Sequence, residues 1–540
     1  MLATKAEAQT APDTYWVAFT DKTNTPYDLS QPEEFLSARA IARRAAQGIG
    51  YDELDLPVDP AYVEQVQSLG EVLVLHRSKW FNGITVRTTD PAVVDAIRDL
   101  PFVNGVRSTG ASLGFSSARK LDEPMGDVMD LRDGEEELYG PSFRQIAMLN
   151  GHLLHAEGAQ GQGLLIGVLD SGFEGVDVSL AFAELRARNG IVLTRDLVDG
   201  DDQVYDAHTH GRSVLSCMAG DLEGQLLGTA PGADYVLLRT EDVDSEYLVE
   251  EDNWIAGAEL ADSLGCDVLN TSLGYTTFDD STMDHSYADL DGRTLRISIA
   301  ANIASQKGMI PVNSAGNSGS SPWHFISAPA DAIDILTVGA VGDVEQHAPF
   351  SSFGPSADGR VKPDVCAMGW NTIVLRPGVD SVAAANGTSF SSPVLAGLVA
   401  CLWQLNPTRN AEQIMEAVRQ SASFYWTPNE SYGYGVPDFA LANDILQVGI
   451  GMDENHATSG FVLYPSPFID ELRFVAPASG RLDLILLDAT GRIVLQQQIQ
   501  GTIDTPVLVT EGLSALPAGA YVLRIGQGTE LWQQRSLKLP

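Results

Sequence analysis

Cysteine and lysine are scarce in these 540 residues, and long apolar runs are missing. Four Cys in so long a chain are no disulfide framework. They stand among apolar neighbours, as in Val214-Leu215-Ser216-Cys217-Met218 and Ala400-Cys401-Leu402, which predicts buried free thiols. Lys supplies seven of 33 basic residues against 72 acidic ones, for a net charge of −39. A chain this acidic repels phosphate backbones and anionic lipid heads, which argues against nucleic-acid and membrane-surface partners. No run approaches the roughly 18 apolar residues of a membrane span. Met1 to Ala11 lacks the apolar stretch of a signal peptide, although Ala6-Glu7-Ala8-Gln9 is compatible with a signal-peptide remnant over residues 1–13.

What is present is globular: 44% hydrophobic residues, with 51 Gly and 27 Pro, exclude disorder and fibrous repeats. Residues 14–112 read as a small α/β unit. Tyr15-Trp16-Val17-Ala18-Phe19, Val72-Leu73-Val74-Leu75 and Gly83-Ile84-Thr85-Val86 are its strands. Asp59-Pro60 and Asp90-Pro91 read as N-cap and first helical residue of two helices. Ser30 and Glu33 form an expected capping box for a helix through Phe35, Ala38 and Ile41. Periodicity lapses over 113–139, an acidic stretch read as a cleavable linker containing an activation region. From 140 to 450 short β-branched runs alternate with helices, which predicts a parallel sheet covered by helices on both faces. Residues 458–540, with strands such as Leu482-Asp483-Leu484-Ile485-Leu486 separated by turns, predict a small β-sandwich.

The central segment carries the chemistry. Asp170-Ser171-Gly172 ends a buried strand, where parallel sheets place functional groups. His210-Gly211-Arg212-Ser213 opens a helix of small residues. Asn386-Gly387-Thr388-Ser389-Phe390-Ser391-Ser392-Pro393 puts a serine on a tight turn at a helix N-terminus, where backbone N–H groups favour negative charge. Ser314-Ala315-Gly316-Asn317 follows another strand and offers a side-chain amide. Acyl transfer needs this set: a hydroxyl to attack, an imidazole to take its proton, a carboxylate to orient the imidazole, and donors for the developing oxyanion. His208 precedes His210 by two residues, but a third metal ligand is not visible, so His208 reads as incidental.

The order Asp170, His210, Asn317, Ser389 resembles the subtilisin-like serine proteases over about 300 residues. The resemblance implies a serine endopeptidase with Asp170, His210 and Ser389 as catalytic triad and Asn317 as oxyanion donor. Val268-Leu269-Asn270-Thr271-Ser272-Leu273-Gly274 looks like the family's substrate-binding strand, which pairs with an extended peptide. Ser272, Leu273, Gly274 and Ser314, Ala315, Gly316 would then flank the pocket for the residue before the scissile bond. Arg212, where the family usually has Thr, would disfavour a protonated His210 if close and unpaired. No cofactor is required; structural calcium is common in the family and the acidic composition permits it, with no ligands assigned.

The N-terminal unit resembles the propeptides of secreted subtilases from Bacteroidetes-type bacteria, which implies a zymogen inhibited by its own propeptide. A permanent structural domain is the alternative. Leu463-Tyr464-Pro465-Ser466-Pro467-Phe468 and Asp488-Ala489-Thr490-Gly491-Arg492 resemble the sorting domain of the type IX secretion system, with a carbohydrate- or protein-binding sandwich as the alternative. Together these imply a secreted or cell-surface enzyme whose partners are protein substrates, its propeptide and the secretion machinery. A catalytically inactive adhesion protein on the same scaffold is the competing class, as is an esterase or peptide ligase using the same acyl-enzyme.

Overall fold

The computed structural model describes residues 13–111, 125–126, 136–425, 427–448, 463–464, 467–476, 478–488, 492–503, 505–510, 512–527 and 530–538. The segment read as a signal-peptide remnant (except Asp13), most of the segment 113–139 read as a linker, Pro465, Ser466 and residues 489–491 lie outside them. Two compact units divide the chain, Met1–Asn443 and Asp444–Pro540.

Within the first unit, β1 (Thr14–Phe19), β2 (Leu73–Ser78), β3 (Gly83–Arg87) and β4 (Val103–Gly110) form an antiparallel sheet in the order β2-β3-β1-β4. Helices α1 (Ala38–Gln47), α2 (Pro60–Gln67) and α3 (Pro91–Arg98) complete it. Asp59 and Asp90 cap α2 and α3 by accepting from Ala61 N–H and Ala92 N–H. The expected Ser30–Glu33 box is not formed. A short 3₁₀ turn occupies Pro32–Glu34, and Ser37 caps α1 by accepting from Ala40 N–H. β4 has no apolar alternation in its sequence and is held as a strand by pairing with β1.

Seven parallel strands follow: β5 (Leu165–Asp170), β6 (Ile191–Asp196), β7 (Asp234–Arg239), β8 (Val268–Thr271), β9 (Ile310–Ser314), β10 (Leu336–Val341) and β11 (Val365–Met368), in the order β11-β10-β9-β8-β5-β7-β6. From β5 the chain crosses to β6 at one edge and returns to β7 between them, and from β8 on it runs outward along the other side. The carboxyl ends of β5 and β8 are therefore the switch point where α/β sheets place their sites. Leu165 and Leu169 join the core containing Trp254, Ala258 and Ala261 of α5 (Val249–Leu264) and Ile297 and Ala300 of α6 (Arg296–Gln306). By the alternation of a strand, Asp170 belongs to the opposite face. There α4 (His210–Ala219) packs against α7 (Thr388–Leu405). By length and composition α7 could cross a membrane, yet 89% of it is buried in this unit as its core helix. The four cysteines are buried and form no disulfide, as expected.

The N-terminal sheet and α1 pack on α5 through a buried charge network. Arg44, wholly inaccessible, contacts Asp55 and Asp262 at 2.8 Å each. Arg43 and Lys79 also reach Asp262, at 2.7 and 2.9 Å. Burial alone would raise the Asp262 carboxyl, but the Lys79, Arg43 and Arg44 cations hold it well below the usual carboxylate range. His76 of β2 lies against Asn253 of α5, with Nε2 to Oδ1 2.7 Å, and burial lowers its pKa. A histidine that resists protonation when buried leaves docking unpenalised above the unfolded pKa of about 6.5 and weakens it progressively as pH falls below that value. The thermal midpoint of wild type is therefore expected to fall relative to His76→Gln as pH drops below about 6.5; a pH-independent difference would contradict this.

In the second unit, β12 (Leu463–Tyr464), β13 (Leu472–Val475) and β16 (Pro506–Val509) form one sheet, in the order β12-β13-β16. β14 (Gly480–Asp488), β15 (Ile493–Gly501), β17 (Gly519–Gln527) and β18 (Glu530–Lys538) form the other, in the order β15-β14-β17-β18. Leu472 and Phe474 of the first sheet share one core with Leu484, Leu486 and Leu523 of the second, the packing of a sandwich.

Candidate active site

Asp170 closes β5 and His210 opens α4, and the two side chains meet with His210 Nδ1 2.7 Å from Asp170 Oδ1. Both are buried. The carboxylate makes Nδ1 the donor, so the basic nitrogen of the neutral ring is Nε2. Asp170 Oδ1 also accepts from Ser171 N–H at 2.7 Å and from Ser171 Oγ at 3.2 Å, which fixes its orientation. His208 is not incidental: its Nδ1 lies 3.0 Å from Ser171 Oγ and accepts from His210 N–H at 3.2 Å, so it braces both neighbours of the contact. The residues flanking a histidine in sequence do not reveal such a role. Arg212 turns the other way. It donates to Val379 O at 3.0 Å and faces Asp380 at 3.8 Å, so the condition for repelling a protonated His210 is not met.

Ser389 is the second residue of α7, whose first N–H groups have no intrahelical partner. Pro393 lies inside that helix and lacks the N–H that would bond Ser389 O. Ser272 Oγ supplies the missing donor, 2.8 Å from Ser389 O. The same exchange ties the nucleophile's turn to the end of β8. Ser389 Oγ donates to Ser272 O at 3.4 Å, a long contact given up by rotation about χ1. The Phe390 ring packs beside that of His210, with centroids 6.0 Å apart.

Asn317 follows β9. Its Oδ1 accepts from Thr388 N–H and Thr388 Oγ1, each at 2.9 Å, so Nδ2 is the donor end of the side chain. Thr388 Oγ1 in turn accepts from Gly316 N–H at 3.1 Å. Thr388, given no role by sequence alone, therefore sets the amide of Asn317 and the loop that carries it. The fold brings Asp170, His210, Asn317 and Ser389 together at the switch point, from β5, α4, the end of β9 and α7. Ser272, Leu273 and Gly274 continue from β8, while Ser314 ends β9, its neighbour in the sheet, and Ala315 and Gly316 follow it. Gly316 has φ +105°, a conformation that favours glycine. The arrangement can activate a hydroxyl and stabilise the negative charge that develops on a carbonyl oxygen when that hydroxyl attacks the carbonyl carbon.

Among the described residues, one group of carboxylates is compact enough to hold a cation. The ligand atoms of Glu241, Glu246 and Glu250 lie within 4.8 Å of one another, and Tyr275 Oη already donates to Glu241 at 2.7 Å. His208 and His210 belong to no such group.

Residues 161–435 match the model of the subtilase family, and residues 14–123 match that of the peptidase S8 propeptide domain of Bacteroidota. Subtilisin BL of Lederbergia lenta is 28% identical over 293 residues, covering 54% of this chain and 94% of the relative. The alkaline protease of Alkalihalobacillus alcalophilus is 28% identical over 391 residues, covering 72% of this chain and 88% of that protein. Subtilisin DY of Bacillus licheniformis is 27% identical, covering 52% of this chain and 93% of its own.

Proposed function

The chain belongs to the subtilase family of serine endopeptidases, and from that premise we propose that Asp170, His210 and Ser389 hydrolyse peptide bonds through an acyl-enzyme, with Asn317 as oxyanion donor. Ser389 Oγ attacks the carbonyl carbon while His210 Nε2 takes its proton. The carbon–oxygen π pair moves onto the carbonyl oxygen, which the Ser389 backbone N–H and Asn317 Nδ2 receive. Collapse of the tetrahedral species breaks the carbon–nitrogen bond, and His210 returns the proton to the leaving amine. Water then repeats the sequence on the ester and restores Ser389. Asp170 fixes the ring's tautomer and stabilises its charge.

The observation that carries this reading is the pinned side chain of Asn317: two donors from Thr388 hold its carbonyl end, so its amide end is preset as a donor. Asn317→Ala is expected to lower kcat by about 10² to 10³, the loss seen in subtilisin for such a donor, with little change in KM. An unchanged kcat would remove Asn317 from the mechanism.

The enzyme is made as a zymogen, in which the N-terminal domain covers α5 until it is cut away. The propeptide match and the buried charge network support this. Export by the type IX system through residues 458–540 is supported by the sandwich of the second unit and by the motifs noted above. Deleting 458–540 should then retain the enzyme within the cell envelope, and unchanged secretion would contradict it.

A further inference from the structure

One β-hairpin is fastened to the segments that carry all three members of the triad. Thr372–Leu375 and Val382–Ala385 pair antiparallel, and Arg376 N–H donates to Ser381 O at 2.8 Å to close the loop between them. The second strand runs from Ala385 through Asn386, Gly387 and Thr388 into Ser389. The first is tied to α4: Leu375 N–H donates to Ser216 Oγ at 2.9 Å, and Leu375 O accepts from Ser213 Oγ at 3.2 Å. At the tip, Asp380 Oδ1 accepts from Ser179 Oγ at 2.6 Å and from Leu180 N–H at 3.2 Å, in the segment that follows Asp170.

Arg212, two residues past His210, closes this arrangement. Its Nη2 donates to Val379 O at 3.0 Å and lies 3.8 Å from Asp380 Oδ1. A Cβ added to Gly175, in the segment after Asp170, would lie 3.5 Å from Nη1, so the guanidinium packs on that turn. The side chain is only 4% exposed, and its Nε has no hydrogen-bond partner among the described residues. Burial lowers its pKa, and Asp380 and Glu174 oppose that shift without cancelling it. A buried cation whose carboxylate stands off at 3.8 Å is weak evidence for stability, so its place here calls for another explanation.

Proton transfer needs His210 Nε2 and Ser389 Oγ within hydrogen-bond reach, about 2.6 to 3.2 Å. The two groups stand on separate helices, α4 and α7, so the ties between those helices set their separation. We propose that Arg212 is a positioning residue for the reaction: it clasps the hairpin tip to α4 and to the turn after Asp170, and so holds His210 at transfer distance from Ser389. The proposal rests on the peptidase reading above and adds a residue to it. The segments after β8 and β9, which receive substrate in that reading, are tied to α7 and not to the hairpin tip. Loss of the clasp therefore acts on turnover and spares substrate binding.

The test compares processed wild type with Arg212→Met, Arg212→Lys and Asp380→Asn, using a peptide substrate and the rate of fluorophosphonate labelling at Ser389. Arg212→Met keeps an unbranched side chain and removes every donor. It is expected to lower kcat about 10- to 10²-fold, the cost of a misplacement of about 1 Å, with KM within about twofold. Labelling should slow by the same factor, since it needs the same proton transfer. The thermal midpoint should stay level or rise, because an apolar side chain replaces a poorly paired buried cation. Arg212→Lys, which still carries a donor for Val379 O, should recover much of kcat. Asp380→Asn should lose less than Arg212→Met, because it keeps an oxygen for Ser179 and Leu180. Unchanged kcat and labelling in Arg212→Met, or a loss of kcat that only follows a fall in thermal midpoint and is as large in Arg212→Lys, overturns the proposal and leaves the peptidase reading intact. A folded, processed wild type that cleaves no peptide and is not labelled overturns the peptidase reading, and the proposal with it.

Discussion

Replacing Ser389 by Ala is expected to reduce turnover by about 10⁶, the magnitude known for loss of the nucleophile in subtilisin. The size of the effect follows from the division of labour. Without the hydroxyl there is no acyl-enzyme, and neither the oxyanion donors nor the Asp170–His210 contact can act on a covalent intermediate. His210→Ala should cost about as much, and combining it with Ser389→Ala should cost little more, since the groups act as a unit. Asp170→Ala should cost less, about 10⁴, because His210 keeps a proton-accepting nitrogen but loses the partner that orients it. Additive losses in the double variant would contradict this division. The Ser389→Ala chain should also keep its N-terminal domain when expressed alone, whereas wild type sheds it. Equal clipping of both would exclude self-processing.

The second large effect is expected at the contact between the N-terminal domain and α5. Asp262 is wholly inaccessible and faces Arg43, Arg44 and Lys79, all buried. Asp262→Asn preserves shape but takes the shared carboxylate from these three cations, leaving Arg44 with Asp55 alone. Removing one partner of a buried pair costs about 3 to 5 kcal/mol, or about 10² to 10⁴ in the docking equilibrium. Made in the Ser389→Ala background, so that no cleavage intervenes, the substitution should lower hydrogen-exchange protection of β2 and α1 by that factor. Amides of β14 and β17 in the other unit should be unaffected. Unchanged protection at β2 would mean that the network contributes nothing to docking.

Much of this was legible in the sequence, and the reasons are specific. The strand ending at Asp170 is a continuous apolar run. The motif around Ser389 has to hold a serine at a helix N-terminus, so its glycine and proline are visible as such. Elements whose stability comes from partners elsewhere were not legible. β4, with the sequence Val103-Asn104-Gly105-Val106-Arg107-Ser108-Thr109-Gly110, is a strand only because β1 lies beside it. Residues 125–126, read as linker, pair with Ala384 and Ala385 for the same reason. Ser30 looked like a cap because it fits the local pattern, yet Ser37 won: its Oγ donates to Leu264 O of α5, a contact 227 residues away. Ser171, His208 and Thr388 act through hydrogen bonds to distant chain segments, and a polar side chain gives no local sign of that.

The central claim is that Ser389 is an activated nucleophile. It is tested most directly by treating the processed native protein with a fluorophosphonate and locating the adduct by peptide mass spectrometry. The account predicts one adduct, on Ser389, lost in His210→Ala. A folded, processed protein that remains unlabelled, or one labelled at another serine, would contradict it.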